Sequence, residues 1–332
     1  MPETPTGTVK AIAVALLAGA ALLGVWGCAS LRESRGNWPV KEYEKIIAGR
    51  LDADYVGNAA CTVRCHTHDA LARDFRLSIH GEQVAAETGL PLVNCESCHG
   101  PGSLAIANIK DEKCDSSTFI DLEKIPAGAR SLICLKCHSK QSLSSITGWP
   151  GSRHAAAGVS CPDCHKLHKG PAQKVARRDI APLCTSCHRA TGVAFNLPSH
   201  HPVPEGLMTC TDCHDAHGTM NDADLKAAPV RDLCARCHAD KTGPFVFEHS
   251  DLSASCQTCH DPHGSTNRQL TRWAQPFLCL QCHQGHNSAR HPALTSGDRN
   301  AKAVFFGDCT GCHTRIHGTD LPGYRNDDRF TR

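Results

Sequence analysis

Aromatic side chains are scarce in this chain: of 332 residues, four are Trp, three Tyr and nine Phe. Glycine (27) and proline (19) are plentiful by comparison. So little bulky apolar material, interrupted by so many chain breakers, excludes an ordinary hydrophobic core for a polypeptide of this length. A surplus of one charge is missing too. Lys and Arg number 35 against 33 Asp and Glu, a formal net charge of +2. No basic run occurs, which excludes a nucleic-acid-binding surface. Strand signals are nearly absent as well. What the chain has instead is cysteine and histidine, 22 of each.

These residues are ordered around one pattern. The stretch Cys210–Gly218 reads CTDCHDAHG. Two cysteines two residues apart, with a histidine directly after the second, form the attachment signature of c-type haem: the thiols add to two vinyl groups and the imidazole ligates the iron from one face. The signature recurs at Cys95/Cys98/His99, Cys134/Cys137/His138, Cys161/Cys164/His165, Cys184/Cys187/His188, Cys210/Cys213/His214, Cys234/Cys237/His238, Cys256/Cys259/His260, Cys279/Cys282/His283 and Cys309/Cys312/His313, nine standard motifs. A tenth, CTVRCH at Cys61, Cys65 and His66, has one extra residue between its cysteines, so its spacer must bulge for both sulfurs to reach the vinyls. Its competing reading is an unattached cysteine pair in a surface loop. Zinc ribbons, disulfide frameworks and thioredoxin-like pairs also use CxxC, but none requires a histidine after every second cysteine. Ten covalently attached haem c groups therefore account for 20 of the 22 cysteines. At one haem for about every 25 residues between Cys61 and His313, the cofactors supply the core and the polypeptide wraps them.

Ten proximal histidines leave twelve others, His68, His80, His154, His168, His200, His201, His217, His249, His263, His286, His291 and His317. A lone histidine is more often a polar surface residue than a ligand. These recur in register with the motifs, so they are read as distal candidates for ten six-coordinate irons. Bis-histidine ligation leaves no open coordination site, which suits electron transfer rather than binding of a small substrate. From Tyr55 onward the chain reads as five dihaem modules, each CxxCH, an isolated His, a second CxxCH, and usually a further His. On this reading His154 and His168 serve the second module. His200 or His201 serves the third together with His217, His249 and His263 serve the fourth, and His286, His291 and His317 the fifth. The expected fold class is a multihaem cytochrome c: mostly irregular coil, short α-helices carrying the motifs, and almost no sheet.

The start of the chain addresses it for export. Residues 11–27, AIAVALLAGAALLGVWG, are uncharged and mostly apolar, follow Lys10 and end at Cys28; this is the layout of a secretory signal. Val25-Trp26-Gly27 before Cys28 resembles a lipoprotein signal box, making Cys28 the candidate lipidated first residue of the mature protein. The competing reading is an uncleaved anchor, since the uncharged run from Ala11 to Leu31 is long enough to span a bilayer. Residues 28–57 are polar and read as a tether.

The chain resembles the MtrA/DmsE decahaem cytochromes. The resemblance rests on YVGNAAC at 55–61, DFRLSIHG at 74–81, CESCHGPGS at 95–103, the CHDAHG and CHDPHG boxes, FLCLQCH at 277–283 and CHTRIHG at 312–318. It implies two pentahaem halves, here 58–195 and 196–332, whose haems form an elongated wire. It also implies a position on the periplasmic side of the outer membrane, inside a β-barrel porin, passing electrons between periplasmic donor cytochromes and an outer-surface cytochrome or reductase. In that family a distal histidine closely follows the CHGPG box. Here the region reads CHGPGSLAIAN, so the second ligand of the haem on Cys95 and Cys98 is His68, Cys114 or none; His68 is preferred to Cys114, because a thiolate would drive the potential down.

Two other function classes compete with a conduit. A multihaem reductase of a small inorganic oxidant needs an open haem, and no CxxCK variant is present. An extracellular or filament cytochrome needs exposure outside the cell. The haem propionates would add a charge of about −20 if all were ionised, so the basic residues read as propionate and surface partners.

Overall fold

The computed structural model describes residues 51–67, 69–109, 113–139, 146–168, 176–249, 255–283 and 307–321. The export signal, Cys28, His68, His286 and His291 lie outside the described residues. The chain divides into two units, one running to Cys61 and including Cys95–Ile125, the other formed by Thr62–Asn94 and the residues from Pro126 on. Among the described residues, no helix is long and apolar enough to cross a membrane.

Every attachment motif begins in a short helical turn. α-Helices at Asn58–Arg64, Cys95–His99, Ala127–His138, Cys161–Cys164, Arg177–Thr185, Cys210–Cys213, Val230–Ala235 and Phe277–Leu280 carry eight of them, and 3₁₀ turns at Cys256–Thr258 and Cys309–Gly311 the other two. The spacing explains why. Residues three and four apart share a helix face, so one turn brings both sulfurs and the histidine of CxxCH to the same side. The backbone closes that turn: the histidine N–H donates to the carbonyl of the first cysteine at 2.8–3.0 Å in the motifs ending at His165, His188, His214, His238, His260, His283 and His313. In two motifs an acidic residue inside the turn also caps it, Asp163 accepting from Ser160 N and Asp212 from Thr209 N, each at 2.7 Å.

The only sheet among the described residues is a pair of two-residue strands, Phe247–Glu248 against Gly318–Thr319. The apolar interior is thin: Ala105, Ile120, Ala129, Ile133, Trp149, Phe195, Val203 and Leu233 are the buried hydrophobic residues described. The expectation of mostly coil, short helices and almost no sheet is met.

In place of a core, the second unit has a recurring loop. After CHDAHG and again after CHDPHG, the chain turns through two consecutive residues of left-handed conformation, Ala223 and Asp224 (φ 53° and 52°), then Gln269 and Leu270 (φ 56° and 59°). Each turn is closed alike. Thr219 Oγ1 and Asn221 Nδ2 donate to the Leu225 carbonyl at 3.0 and 2.7 Å, while Ser265 Oγ and Asn267 Nδ2 donate to that of Thr271 at 2.6 and 3.1 Å. The glycine ending each box lies against earlier backbone. A Cβ on Gly264 would collide with the Ala194 carbonyl, and one on Gly218 would meet the Gly148 oxygen at 2.7 Å. Side by side with this contact, Ser199 and Ser265 exchange backbone hydrogen bonds of 3.1 and 2.8 Å. Each box is thereby docked onto the segment that ends in an isolated histidine.

Candidate haem-binding sites

Seven proximal histidines face a second histidine. The ring centroids are 6.0 Å apart for His138 and His80, 6.0 Å for His165 and His217, 5.9 Å for His188 and His154, and 6.2 Å for His214 and His263. They are 6.2 Å apart for His238 and His201, 6.2 Å for His260 and His317, and 5.8 Å for His283 and His249. An iron bound by two imidazole nitrogens at ~2 Å, each nitrogen ~1.1 Å from its ring centre, sets the centroids ~6.2 Å apart. The residues therefore fit a bis-histidine haem at each of these seven motifs.

The pairing crosses module boundaries, and this corrects the expectation that each module's histidines serve that module. His80, His154, His201 and His249 each precede the second motif of a module, yet they face His138, His188, His238 and His283, the first proximal histidine of the next. His217, His263 and His317 reach the other way, to His165, His214 and His260 of the preceding module. His200 and His201 differ in their surroundings. His200 has both ring nitrogens engaged, Nδ1 with the Leu197 carbonyl at 2.6 Å and Nε2 with Glu205 at 3.0 Å, while His201 faces His238. The carboxylate beside it raises the proton affinity of His200, and the hydrogen bond in turn lowers that of Glu205.

Backbone carbonyls aim the rings. His214 and His260 donate from Nδ1 to Ala223 and Gln269 in the left-handed turns at 2.8 and 2.7 Å. Among the distal rings, His154 and His201 donate to Ala216 and Pro262 at 3.1 and 2.7 Å. Each of these bonds fixes the proton on Nδ1 and leaves Nε2 as the ligating atom. A single CHDxHG box thus touches three haem positions: in CHDAHG, His214 is proximal, His217 faces His165, and Ala216 orients His154. Burial, reinforced by the facing histidine, lowers the proton affinity of His80, His165, His263 and His317 and favours the neutral, ligating ring.

The sulfurs form a sequence of their own. Within modules the first cysteines of the two motifs are hydrogen-bonded: Cys61 with Cys95, Cys134 with Cys161, Cys184 with Cys210, Cys234 with Cys256, and Cys279 with Cys309. Between modules the second cysteines lie within electrostatic reach of each other: besides burial, Cys187 raises the proton affinity of Cys164, Cys237 that of Cys213 and Cys282 that of Cys259. From Cys134 to Cys309 the alternation is unbroken.

The two cysteines of a motif differ in exposure. The first cysteine is half-buried in all ten motifs, whereas Cys137, Cys164, Cys187, Cys237, Cys282 and Cys312 are exposed. First cysteines are packed pairwise against one another inside a module, while the six exposed ones are second cysteines, which stand late in their turn; Cys65, Cys98, Cys213 and Cys259 hold the same place yet are half-buried. Cys137 lies in the last turn of the helix Ala127–His138 and Cys312 follows the turn Cys309–Gly311, and both thiols are exposed. Exposure suits the attachment role read for them, since a thiol must be open to the vinyl group that it joins.

At the remaining motifs, His99 lies 3.3 Å from the Ile120 carbonyl through Nδ1 and is edge-on to Phe119. His66 Nδ1 lies 2.5 Å from Asp69, a bond that lowers the carboxyl's proton affinity. His168 is exposed and Cys114 half-buried; the choice of His68 for the haem on Cys95 and Cys98 falls on a residue outside those described. The aiming carbonyls and Asp69 carry no sequence signature beyond the repeat of the box itself.

Comparison with known proteins agrees with this arrangement. The family model for the doubled CXXCH motif matches residues 200–243 and 249–288, and that for the cytochrome c-type protein NrfB-like matches residues 95–187. Multiheme cytochrome MtrA of Shewanella baltica (strain OS185) is 31% identical over 306 residues, which cover 89% of this chain and 90% of that protein. With covalent haem motifs, paired histidines and this similarity along most of its length, the chain belongs to the MtrA family of multihaem c-type cytochromes.

Proposed function

We propose that the protein conducts electrons across the outer membrane through ten covalent bis-histidine haems and performs no substrate chemistry of its own. The alternation of neighbouring attachment cysteines from Cys134 to Cys309, hydrogen-bonded within modules and within electrostatic reach between them, carries this reading. Where the attachment cysteines of successive motifs lie near one another, the edges of successive haems would be brought together, and an electron could pass along them without a mobile carrier. The facing histidines support the second half of the statement, since an iron held on both faces offers no site to a substrate.

On this proposal residues 1–27 direct export, Cys28 is lipidated, residues 28–57 tether the haem domain, and the haems group into halves of 58–195 and 196–332. The cytochrome sits on the periplasmic side of the outer membrane within a β-barrel porin. There it exchanges electrons with periplasmic cytochromes on one side and an outer-surface cytochrome or reductase on the other.

The test is purification from the native membrane. The mature protein is expected to carry the mass of ten haems plus lipid and to bring a β-barrel porin with it. A mass of nine haems would remove CTVRCH from the set, and absence of a porin would defeat the conduit reading. Cys28→Ser is expected to release the cytochrome from membranes with its spectrum unchanged.

A further inference from the structure

Glu96 lies between the two cysteines of its motif and is 2% exposed. Two other motifs carry a carboxylate in their spacer, Asp163 and Asp212. Those side chains are 46% and 35% exposed, and they face Arg130 and Arg177 at 3.4 and 2.8 Å. Solvent and a cation therefore offset their charge. Glu96 is held differently. Val56 N and Gly102 N both donate to Oε1 at 2.9 Å, and Gly57 N donates to Oε2 at 2.7 Å. No Lys or Arg pairs with it among the described residues.

A buried carboxylate is expensive unless its charge is accepted by donors. Three N–H groups on two oxygens meet that condition, and they leave a full negative charge in place, because a hydrogen bond spreads charge without neutralising it. In a water-poor surrounding that charge acts strongly on its neighbours. The covalent attachments confine the neighbour: Cys95 and Cys98, on either side of Glu96, both fasten the same macrocycle. Net charge and burial around a haem are among the factors that set its reduction potential, and a nearby anion favours ferric iron.

We propose that Glu96 is a built-in tuning residue, a fixed anion that lowers the reduction potential of the haem on Cys95 and Cys98. The same carboxylate also ties Val56 and Gly57, ahead of the first motif, to the CHGPG segment. Its position couples the folding of that segment to the potential of one haem. This inference rests on the haem reading of the motif. It adds to it a controlled step in the series of potentials, set by one side chain.

The experiment is a spectroelectrochemical titration of the purified holoprotein, with intact and peptide masses recorded alongside. Glu96→Gln preserves size and one accepting oxygen while removing the charge; Glu96→Asp preserves the charge. One haem equivalent is expected to move to higher potential in E96Q and to remain near its wild-type position in E96D, with the haem count unchanged in both. The inference is overturned by an E96Q curve that superimposes on wild type, by equal shifts in E96Q and E96D, or by loss of a haem from E96Q. A wild-type peptide mass lacking haem at Cys95 and Cys98 would instead sink the haem reading of that motif, and the tuning role with it.

Discussion

His217 stands across from His165, the proximal histidine of the preceding module, with the two rings 6.0 Å apart and 10° from parallel. The box that supplies His217 takes its own partner, His263, from the next module. In this stretch no module pairs its own histidines. Each histidine pair also joins segments distant in sequence.

Replacing His217 by Ala tests this exchange. One haem equivalent is expected to become high-spin in the oxidised protein. The mass should be unchanged, because the thioethers at Cys161 and Cys164 do not depend on the distal ligand. A spectrum that stays wholly low-spin would mean that His217 does not hold an iron.

The sequence revealed the attachment sites because covalent chemistry dictates their spacing. Once CxxCH is recognised, a single helical turn follows for each motif. It also marked the remaining histidines as ligand candidates, seven of which face a proximal histidine, and showed that sheet would be almost absent. It did not reveal who serves whom. A histidine three residues after His214 reads as a local ligand, yet the left-handed turn at Ala223 and Asp224 and the docking of Gly218 against Gly148 direct it backward to His165. Such pairing depends on how one segment is laid over another, and spacing carries no record of that. Nor did spacing separate the half-buried first cysteines from exposed second ones such as Cys137 and Cys312. The same holds for Glu96, an unremarked spacer residue until three backbone donors are seen around it.

Neighbouring histidines at 200 and 201 separate the two kinds of role. His201→Ala is expected to give one high-spin haem equivalent, from the motif ending at His238. His200→Ala should leave every haem low-spin and remove only the contact with Glu205. Electronic and EPR spectra of the two oxidised variants decide the matter, and a high-spin signal in the His200 variant alone would reverse the assignment.

The close approach of box and preceding segment gives a stability prediction. In Gly264→Ala the new methyl group collides with the Ala194 carbonyl, and the bridge between Ser199 and Ser265 must open to admit it. Forcing a carbon into such a contact typically costs about 1–3 kcal/mol. The unfolding midpoint in guanidinium, followed by the haem spectrum, is expected to fall accordingly. An unchanged midpoint would show that the box is not held against that segment.

The relative orientation of paired rings differs systematically along the second unit. In three of the four pairs that include the first proximal histidine of a module the planes are crossed, at 77° for His80 and His138, 67° for His154 and His188, and 51° for His201 and His238. In the pairs that include the second they are nearly parallel, at 10°, 22° and 16°. His249 and His283 depart from the pattern, belonging to a first motif yet lying at 16°. Parallel imidazoles donate into the same iron d orbital and split the pair that carries the unpaired electron; crossed imidazoles leave it nearly degenerate. Low-temperature EPR of the oxidised protein is therefore expected to contain two low-spin classes, one rhombic and one strongly anisotropic with a large maximal g value. The seven pairs contribute four haems to the first class and three to the second. The assignment can be checked one position at a time: His154→Ala should subtract from the anisotropic class and His263→Ala from the rhombic one. A single class in the wild-type spectrum, or subtraction from the opposite class in either variant, would show that the rings do not keep these planes around bound iron.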